Sequence, residues 1–383
     1  MKYVLLVFAL IVILNPIIAR KHYRFYLLMV LLLLTALAYF VVPSPNMDLY
    51  RYIESMNFFD HMGWRWTMRN YGSSNPLATV AMYALAQFHN DHLLAAIAVF
   101  ITYGCSFILF AKSAKRFGAS YADMNFAFVF LMLNMNYCYV IDVVRIYIAY
   151  AIFALFLYID VIEKKYRPLC FAVYIGLCYF HYAIVLFVLL RIIFFFTRKL
   201  RGVLSVLAAF GIPLVLYIAY RVAFFFTGGN VVLSVLSDRI DKYQEYEVFG
   251  IWQFLASVVR VLFLLAIMVV AVEFAKQITK RNNTDGIKNK RNDSIRVYEY
   301  STLLIYISVS VFTFITNYQY VLRTPYFIQI LASAPLLYIF TNQRKEQLKR
   351  LQIMELIVLA ESLSHFIYLL IYVYGNLSFE FVL

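Results

Sequence analysis

The sequence predicts an all-α, polytopic integral membrane protein, and three observations carry that class. The 383-residue chain is 64% hydrophobic and only 14% charged, against about half apolar and about a quarter charged in an average soluble domain. Its apolar runs are mostly near the ~20 residues that a helix needs to cross about 30 Å of hydrocarbon. Between them sit short lysine and arginine clusters that fall almost entirely on alternate connections. A barrel does not fit, because its strands would alternate apolar and polar residues over about ten positions.

Taken in order, the spans run at 3–19, 25–43, 92–111, 119–138, 143–162, 168–181, 183–197, 202–226, 251–273, 298–316, 324–341 and 353–373, so about 11–13 transmembrane helices are expected. The first run is short enough for a signal peptide. It lacks a small-x-small cleavage site and is followed by Arg20-Lys21 and a second span, so it reads as a retained anchor. Leu77 to Gln87 is apolar but short, and the 77–88 segment reads as a re-entrant or surface helix. The pair 168–181 and 183–197 is short for two crossings and places His181 at its turn. No repeat or composition shift divides the chain, which reads as one transmembrane domain over 1–383.

The basic clusters set the orientation. Arg20/Lys21/Arg24, Lys112/Lys115/Arg116, Lys164/Lys165/Arg167, Arg198/Lys199/Arg201, the segment from Lys276 to Arg296 and the run Arg344 to Arg350 belong on the cytoplasmic side under the positive-inside rule. The 274–297 segment reads as a polar, mobile cytoplasmic loop. Both termini then fall outside. Two long outer loops follow, at 43–76 and 227–250. The formal net charge of +14 is largely this topological signal. No stripe of basic and aromatic residues outside the membrane points to nucleic acid, and none is expected as a partner.

The other set of connections holds most of the remaining polar chemistry. Asp48 and Arg51 lie in the first outer loop, Asp142 and Arg145 at a span boundary, His181 at the short turn, Arg221 late in a span, Arg239 and Tyr243 in the second outer loop, and Arg323 just before a span and a proline. A guanidinium near a span costs several kcal/mol unless it is paired or faces water, so each is a candidate for function. Two uses of Arg145 are open: neutralising Asp142 one turn away on its own helix, or gripping phosphate oxygens with its planar fork. Arg191 and Arg260 also interrupt apolar sequence. Lysine, by contrast, is nearly confined to the cytoplasmic side. His181 is either a packed helix-end residue or a general base; Asp48, with Arg51 one turn on, is either a loop clasp or a competing base. The 33 tyrosines serve interfacial anchoring or a sugar-lined cavity.

No phosphate-cradling glycine loop, dinucleotide fingerprint or HExxH helix is present. The cysteines (Cys105, Cys138, Cys170, Cys178) lie inside apolar runs and read as small core residues. No cofactor or metal is expected. A metal held by Asp48 with Glu54 or Asp60 is the weaker alternative.

Four pieces of sequence together resemble the EpsG/Wzy-type polysaccharide polymerases of bacterial envelopes. They are Asp48-Leu49-Tyr50-Arg51-Tyr52, the run Arg145-Ile146-Tyr147-Ile148-Ala149 opening a span, His181-Tyr182-Ala183-Ile184-Val185-Leu186, and Arg323-Thr324-Pro325-Tyr326-Phe327. They cover about residues 45–340, in order. The resemblance implies a GT-C-like membrane fold and transfer of a growing glycan from its lipid pyrophosphate to a new lipid-linked repeat unit on the outer face of the bacterial inner membrane. The implied partners are undecaprenyl-pyrophosphate-linked oligosaccharides, membrane lipids and a chain-length regulator. On this reading Arg145 and Arg323 bind the pyrophosphate with Arg239 or Arg221, Arg51 and Tyr243 position sugar or phosphate, and His181 is the base, with Asp48 the runner-up. It requires Arg145 and Arg323 to meet in one solvent-reachable hollow. A polyprenyl-phosphate-sugar glycosyltransferase, a glycan ligase and a glycolipid flippase remain alternatives.

Overall fold

The structure is a computed structural model and describes residues 2–45, 47–72, 75–197, 251–284, 288–313, 318–343, 348–369 and 380–381, with single positions at 211, 214 and 215. It is an all-α membrane architecture. Among the described residues, five helices are long and apolar enough to cross a membrane: Ile17–Tyr39, His92–Phe117, Val144–Glu163, Phe254–Arg281 and Arg323–Gln343. Pro76–Ala86, Arg167–Phe180 and Ile184–Thr197 are shorter apolar helices. The 202–226 span and the 227–250 loop lie outside the described residues, apart from the single positions named above.

The chain gathers into two compact units, residues 1–184 with 337–383 and residues 185–336. No composition shift marks this division, because both units are apolar and the boundaries fall inside or beside helices rather than in polar linkers.

The first unit opens with α1 (Lys2–Leu14), a π-helical turn (Asn15–Ala19) and α2 (Arg20–Tyr39), with non-helical backbone at His22. These are continuous in hydrogen bonding but not straight. The Tyr26 hydroxyl donates to the Ile11 carbonyl at 2.8 Å, a contact that fifteen residues of straight helix, about 22 Å, would forbid. The chain therefore turns back on itself around Asn15–His22. After a short strand β1 (Val41–Val42), which pairs antiparallel with β2 (Glu380–Phe381), comes α3 (Asp48–Tyr71).

Here the structure corrects the sequence reading: 43–76 is not a loop but mostly helix. Leu49, Met56, Phe59 and Thr67 are buried along α3, so an apolar stripe holds the helix onto its neighbours despite its many polar residues. Gly63 interrupts α3 with φ 75° and ψ 171°, a region open essentially to glycine alone. A Cβ there would meet nothing within 4 Å. Gly63→Ala is therefore expected to cost about 1–3 kcal/mol through backbone strain alone, readable as a lowered thermal midpoint in detergent; an unchanged midpoint would show that the bend is not required.

The helix α4 (Pro76–Ala86) spans about 16 Å, too short to cross about 30 Å of hydrocarbon. Then come α5 (His92–Phe117), α6 (Tyr121–Asn134), α7 (Tyr137–Asp142), α8 (Val144–Tyr158) continued by a π-helical turn (Ile159–Glu163), and α9 (Arg167–Phe180). The expected 119–138 span is thus broken after Asn134, where Met135 is extended. Late in the chain, α14 (Leu348–Tyr368) returns to this unit: Asn134 Nδ2 donates to Ser362 Oγ at 2.8 Å, both buried.

The unit has two chemically distinct ends. At one, Lys112 pairs with Glu163 at 2.9 Å and Arg167 with the buried Asp160 at 3.6 Å, so the basic ends of α5, α8 and α9 meet. At the other, Asn90 donates to the Tyr39 hydroxyl at 3.0 Å and His92 packs on the Tyr39 ring.

The second unit contains α10 (Ile184–Thr197, from Val185 on), α11 (Ile251–Thr284), α12 (Lys288–Thr313) and α13 (Tyr318–Gln343, to Leu336). Contrary to the loop expected at 274–297, α11 runs to Thr284 and α12 begins at Lys288. Lysine, arginine, glutamate and glutamine are good helix formers, and Lys276 Nζ sits 5.8 Å from the Tyr298 ring centroid, so the pairing of these helices extends into their polar ends. Phe187 packs on Phe327 at 4.6 Å and Phe194 against Tyr306 at 5.7 Å.

Candidate functional site

A break in the helical path builds the site. Asn136 caps α7 by accepting from the Tyr139 N–H at 3.1 Å, and α7 closes after only six residues. Val143, at φ −103° and ψ 52°, leaves helical geometry before α8 starts. Buried Ile141, Val144 and Tyr147 anchor both sides of that break, while Asp142 and Arg145 remain half-buried and reach α3.

Asp142 Oδ1 accepts from the backbone N–H of Asp48 at 2.8 Å and of Leu49 at 3.3 Å. The first turn of a helix has N–H groups with no intrahelical partner and a partial positive charge. Met47, the residue preceding α3, has no side chain able to cap it, so a carboxylate 94 residues away does so. Within that turn Asp48 pairs with Arg51 at 3.4 Å, the arginine side chain 59% exposed. A pair so solvated is worth about 0–1 kcal/mol; this is the clasp, now made on a helix rather than in a loop.

One turn further along α3, Tyr52 meets Arg145. The guanidinium carbon stands 4.5 Å from the ring centroid, and Nη2 donates to the Tyr52 hydroxyl at 3.2 Å. Among the described residues no carboxylate pairs with Arg145, and its Nε is buried without a hydrogen-bond partner. Of the two uses open to Arg145, mutual neutralisation with Asp142 is therefore not what the geometry adopts. Nearby, the Glu54 carboxylate pushes the half-buried Tyr50 phenol above its ordinary value, by charge first and hydrogen bonding second, which keeps it a donor. Chemically, the arrangement offers a half-buried planar cation over an aromatic ring, with guanidinium donors of the kind that phosphate oxygens accept from.

His181 ends α9 in extended conformation and is buried. Its Nδ1 accepts from the Ala183 N–H at 3.2 Å, and its ring stacks on Tyr182. That bond holds the neutral ring with its proton on Nε2. The turn between two short helices is where the sequence placed it. Asp60 lies 3.1 Å from His89 Nδ1 rather than joining Asp48, and no group of three His, Cys, Asp or Glu side chains converges among the described residues.

Arg221, Arg239 and Tyr243 lie outside the described residues. Arg323 belongs to the second unit, half-buried in the second turn of α13, which starts at Tyr318 and carries Pro325 within it; the arginine is inside the helix rather than before it. One turn on, Tyr326 lies under the buried Arg260 of α11, 4.2 Å from ring centroid to guanidinium, and Arg260 also donates to Gln329. Tyr52 as the platform of Arg145, and Asp142 as a cap rather than an ion-pair partner, were not read from sequence. The Asp142-x-x-Arg145 spacing left two uses of Arg145 open, and neither of them pointed to Tyr52.

No model of a known protein family, no curated protein and no solved structure matches this chain.

Proposed function

We propose that this protein is a glycan polymerase that transfers a growing oligosaccharide from its polyprenyl pyrophosphate to the terminal hydroxyl of a new lipid-linked repeat unit. The single observation that carries this reading is Arg145, a fork-shaped cation laid on Tyr52 with no carboxylate partner among the described residues. It lies by α3, which follows the Tyr39 end of the unit, away from the end where basic clusters collect. That is the face on which a lipid pyrophosphate would be processed if the basic end is cytoplasmic.

In the reaction, the acceptor oxygen bonds to the anomeric carbon of the donor sugar. The carbon–oxygen bond to pyrophosphate breaks, and its electron pair leaves with the pyrophosphate. Arg145 meets the charge that develops there; a donor fixed toward such charge is worth about 2.7–4 kcal/mol in comparable sites. The resemblance also gives Arg323 a phosphate-binding role, and Arg51 and Tyr50 are assigned to sugar hydroxyls. Asp48 comes before His181 as the base that takes the hydroxyl proton, because the His181 Nδ1 lone pair is engaged by the Ala183 N–H. The undescribed Arg221, Arg239 and Tyr243 keep the supporting roles that the resemblance implies. The cellular setting in this reading is the bacterial inner membrane, with the active face outside.

The test is to incubate the purified protein with a synthetic lipid-pyrophosphate repeat unit, with and without a chelator. A ladder of products that survives chelation is expected. A single addition would point instead to a simple polyprenyl-phosphate-sugar transferase, and no product at all would remove the enzymatic reading. One observation favours a second reading, a glycolipid flippase: Arg191 and Arg260 are buried in the second unit, where charges could line a transit path. Movement of a labelled lipid-linked sugar between vesicle leaflets, without elongation, would favour it.

A further inference from the structure

We infer that the groove between α2 and α5 binds one hydrocarbon chain of an anionic phospholipid, with the lipid phosphate on Arg24. The groove holds about 420 Å³ and is lined almost wholly by apolar groups, with Leu31, Phe100, Gly104, Cys105 and Ile108 along it and Arg24 at one end. Gly104 lies on its floor. Leu31 Cδ2 is 3.7 Å from where a Cβ would stand, ordinary van der Waals contact, so a long side chain at 104 would take up groove space. Leu28, Phe100 and Ile108 are about half exposed, which in a membrane-spanning helix pair means contact with lipid. From Phe100 to Ala111 the α5 wall is about 16 Å long, long enough for an extended acyl chain to lie in it.

Charge decides which lipid fits. Arg20, Lys21, Arg24 and Lys115 are all exposed near this end of α2 and α5. The acidic residues of the neighbouring elements are engaged elsewhere: Glu163 with Lys112, Asp160 with Arg167, and Asp123 in the cap of α6. The mouth of the groove is therefore positive, which suits a phosphate without a compensating choline or amine. The polyprenyl substrate is not the occupant that the geometry favours. Arg24 lies fifteen residues, about 22 Å of helix, from Tyr39, at the end opposite Arg145. The inference does not depend on the polymerase reading.

The experiment equilibrates the purified full-length protein with equimolar phosphatidylglycerol and phosphatidylcholine of identical chains in mixed micelles, and counts retained lipids by native mass spectrometry. A glycerol-to-choline ratio of about five is expected, the effect of roughly one basic residue at a lipid surface. Arg24→Gln, at an exposed position, should lower the ratio toward one. Gly104→Leu should fill the groove and remove the retained lipid of either kind, and its thermal midpoint establishes that it is folded. An equal ratio in the unmodified protein, or a ratio unmoved by Arg24→Gln, overturns the assignment and leaves only unselective annular lipid. Retention undiminished in a folded Gly104→Leu also overturns it, as does displacement of phosphatidylglycerol by an equimolar polyprenyl phosphate.

Discussion

Under the proposed polymerase reading, Arg145→Lys is expected to cut polymer formation by about a hundredfold or more while the protein remains abundant in the membrane. The substitution keeps the charge, so a purely electrostatic role would survive it. It removes the planar fork and the stacking on Tyr52, and with them the two-point grip on phosphate oxygens that a lysine cannot reproduce. Loss of one donor aimed at developing charge typically costs about 10²–10³ in rate. Tyr52 separates the contributions. Tyr52→Phe removes only the hydroxyl that accepts from Nη2 and should cost severalfold. Tyr52→Leu also removes the aromatic face, worth about 0.5–2 kcal/mol to a guanidinium, and should cost up to about thirtyfold. Product length on gels and protein abundance on blots are the two readouts. Polymer of normal length from the Arg145→Lys protein would sink the proposal.

The second large effect is expected at Asp142. Asp142→Ala leaves two N–H groups at the start of α3 without their acceptor, which should lower stability by about 1–2 kcal/mol, the usual cost of losing a cap. Asp142→Asn keeps an acceptor but not the charge that suits a helix N-terminus, so its loss should be smaller. Because α3 also carries Tyr52, loosening its first turn should weaken the platform of Arg145 and lower activity together with stability. The double variant Asp142→Ala/Tyr52→Leu then tests the route. If Asp142 acts through α3, the two activity losses add to less than their sum. Full additivity, with an unchanged thermal midpoint for Asp142→Ala, would mean that Asp142 touches substrate directly.

Much of the framework was legible because it rests on composition and length. The runs that became α5, α8 with its π-helical turn, α11 and α13 are apolar enough that no tertiary contact is needed to identify them. The break at His181 was legible for a similar reason: a polar residue between two short apolar runs has few other places to go. The helix α3 was not legible. Its polar and charged residues outnumber its buried ones, and the stripe of Leu49, Met56 and Phe59 acquires meaning only once neighbouring helices supply a surface to cover it. The helical ends at 274–297 were missed likewise, since topology rules count charges but say nothing about backbone conformation.

Of the site, the sequence by itself determined the candidates: arginines that interrupt or border apolar runs must be paired, hydrated or functional, wherever they fold. Only the tertiary structure decided how Arg145 is used. Asp142 and Arg145 are three residues apart, and local spacing alone favours an ion pair between them. The bend at Val143 and the approach of α3 offer each a different partner, the backbone N–H groups of Asp48 and Leu49 for one and the Tyr52 ring for the other. Those partners lie about ninety residues away in sequence, and hydrogen bonding and stacking at that separation depend on where helices pack, which no local pattern encodes.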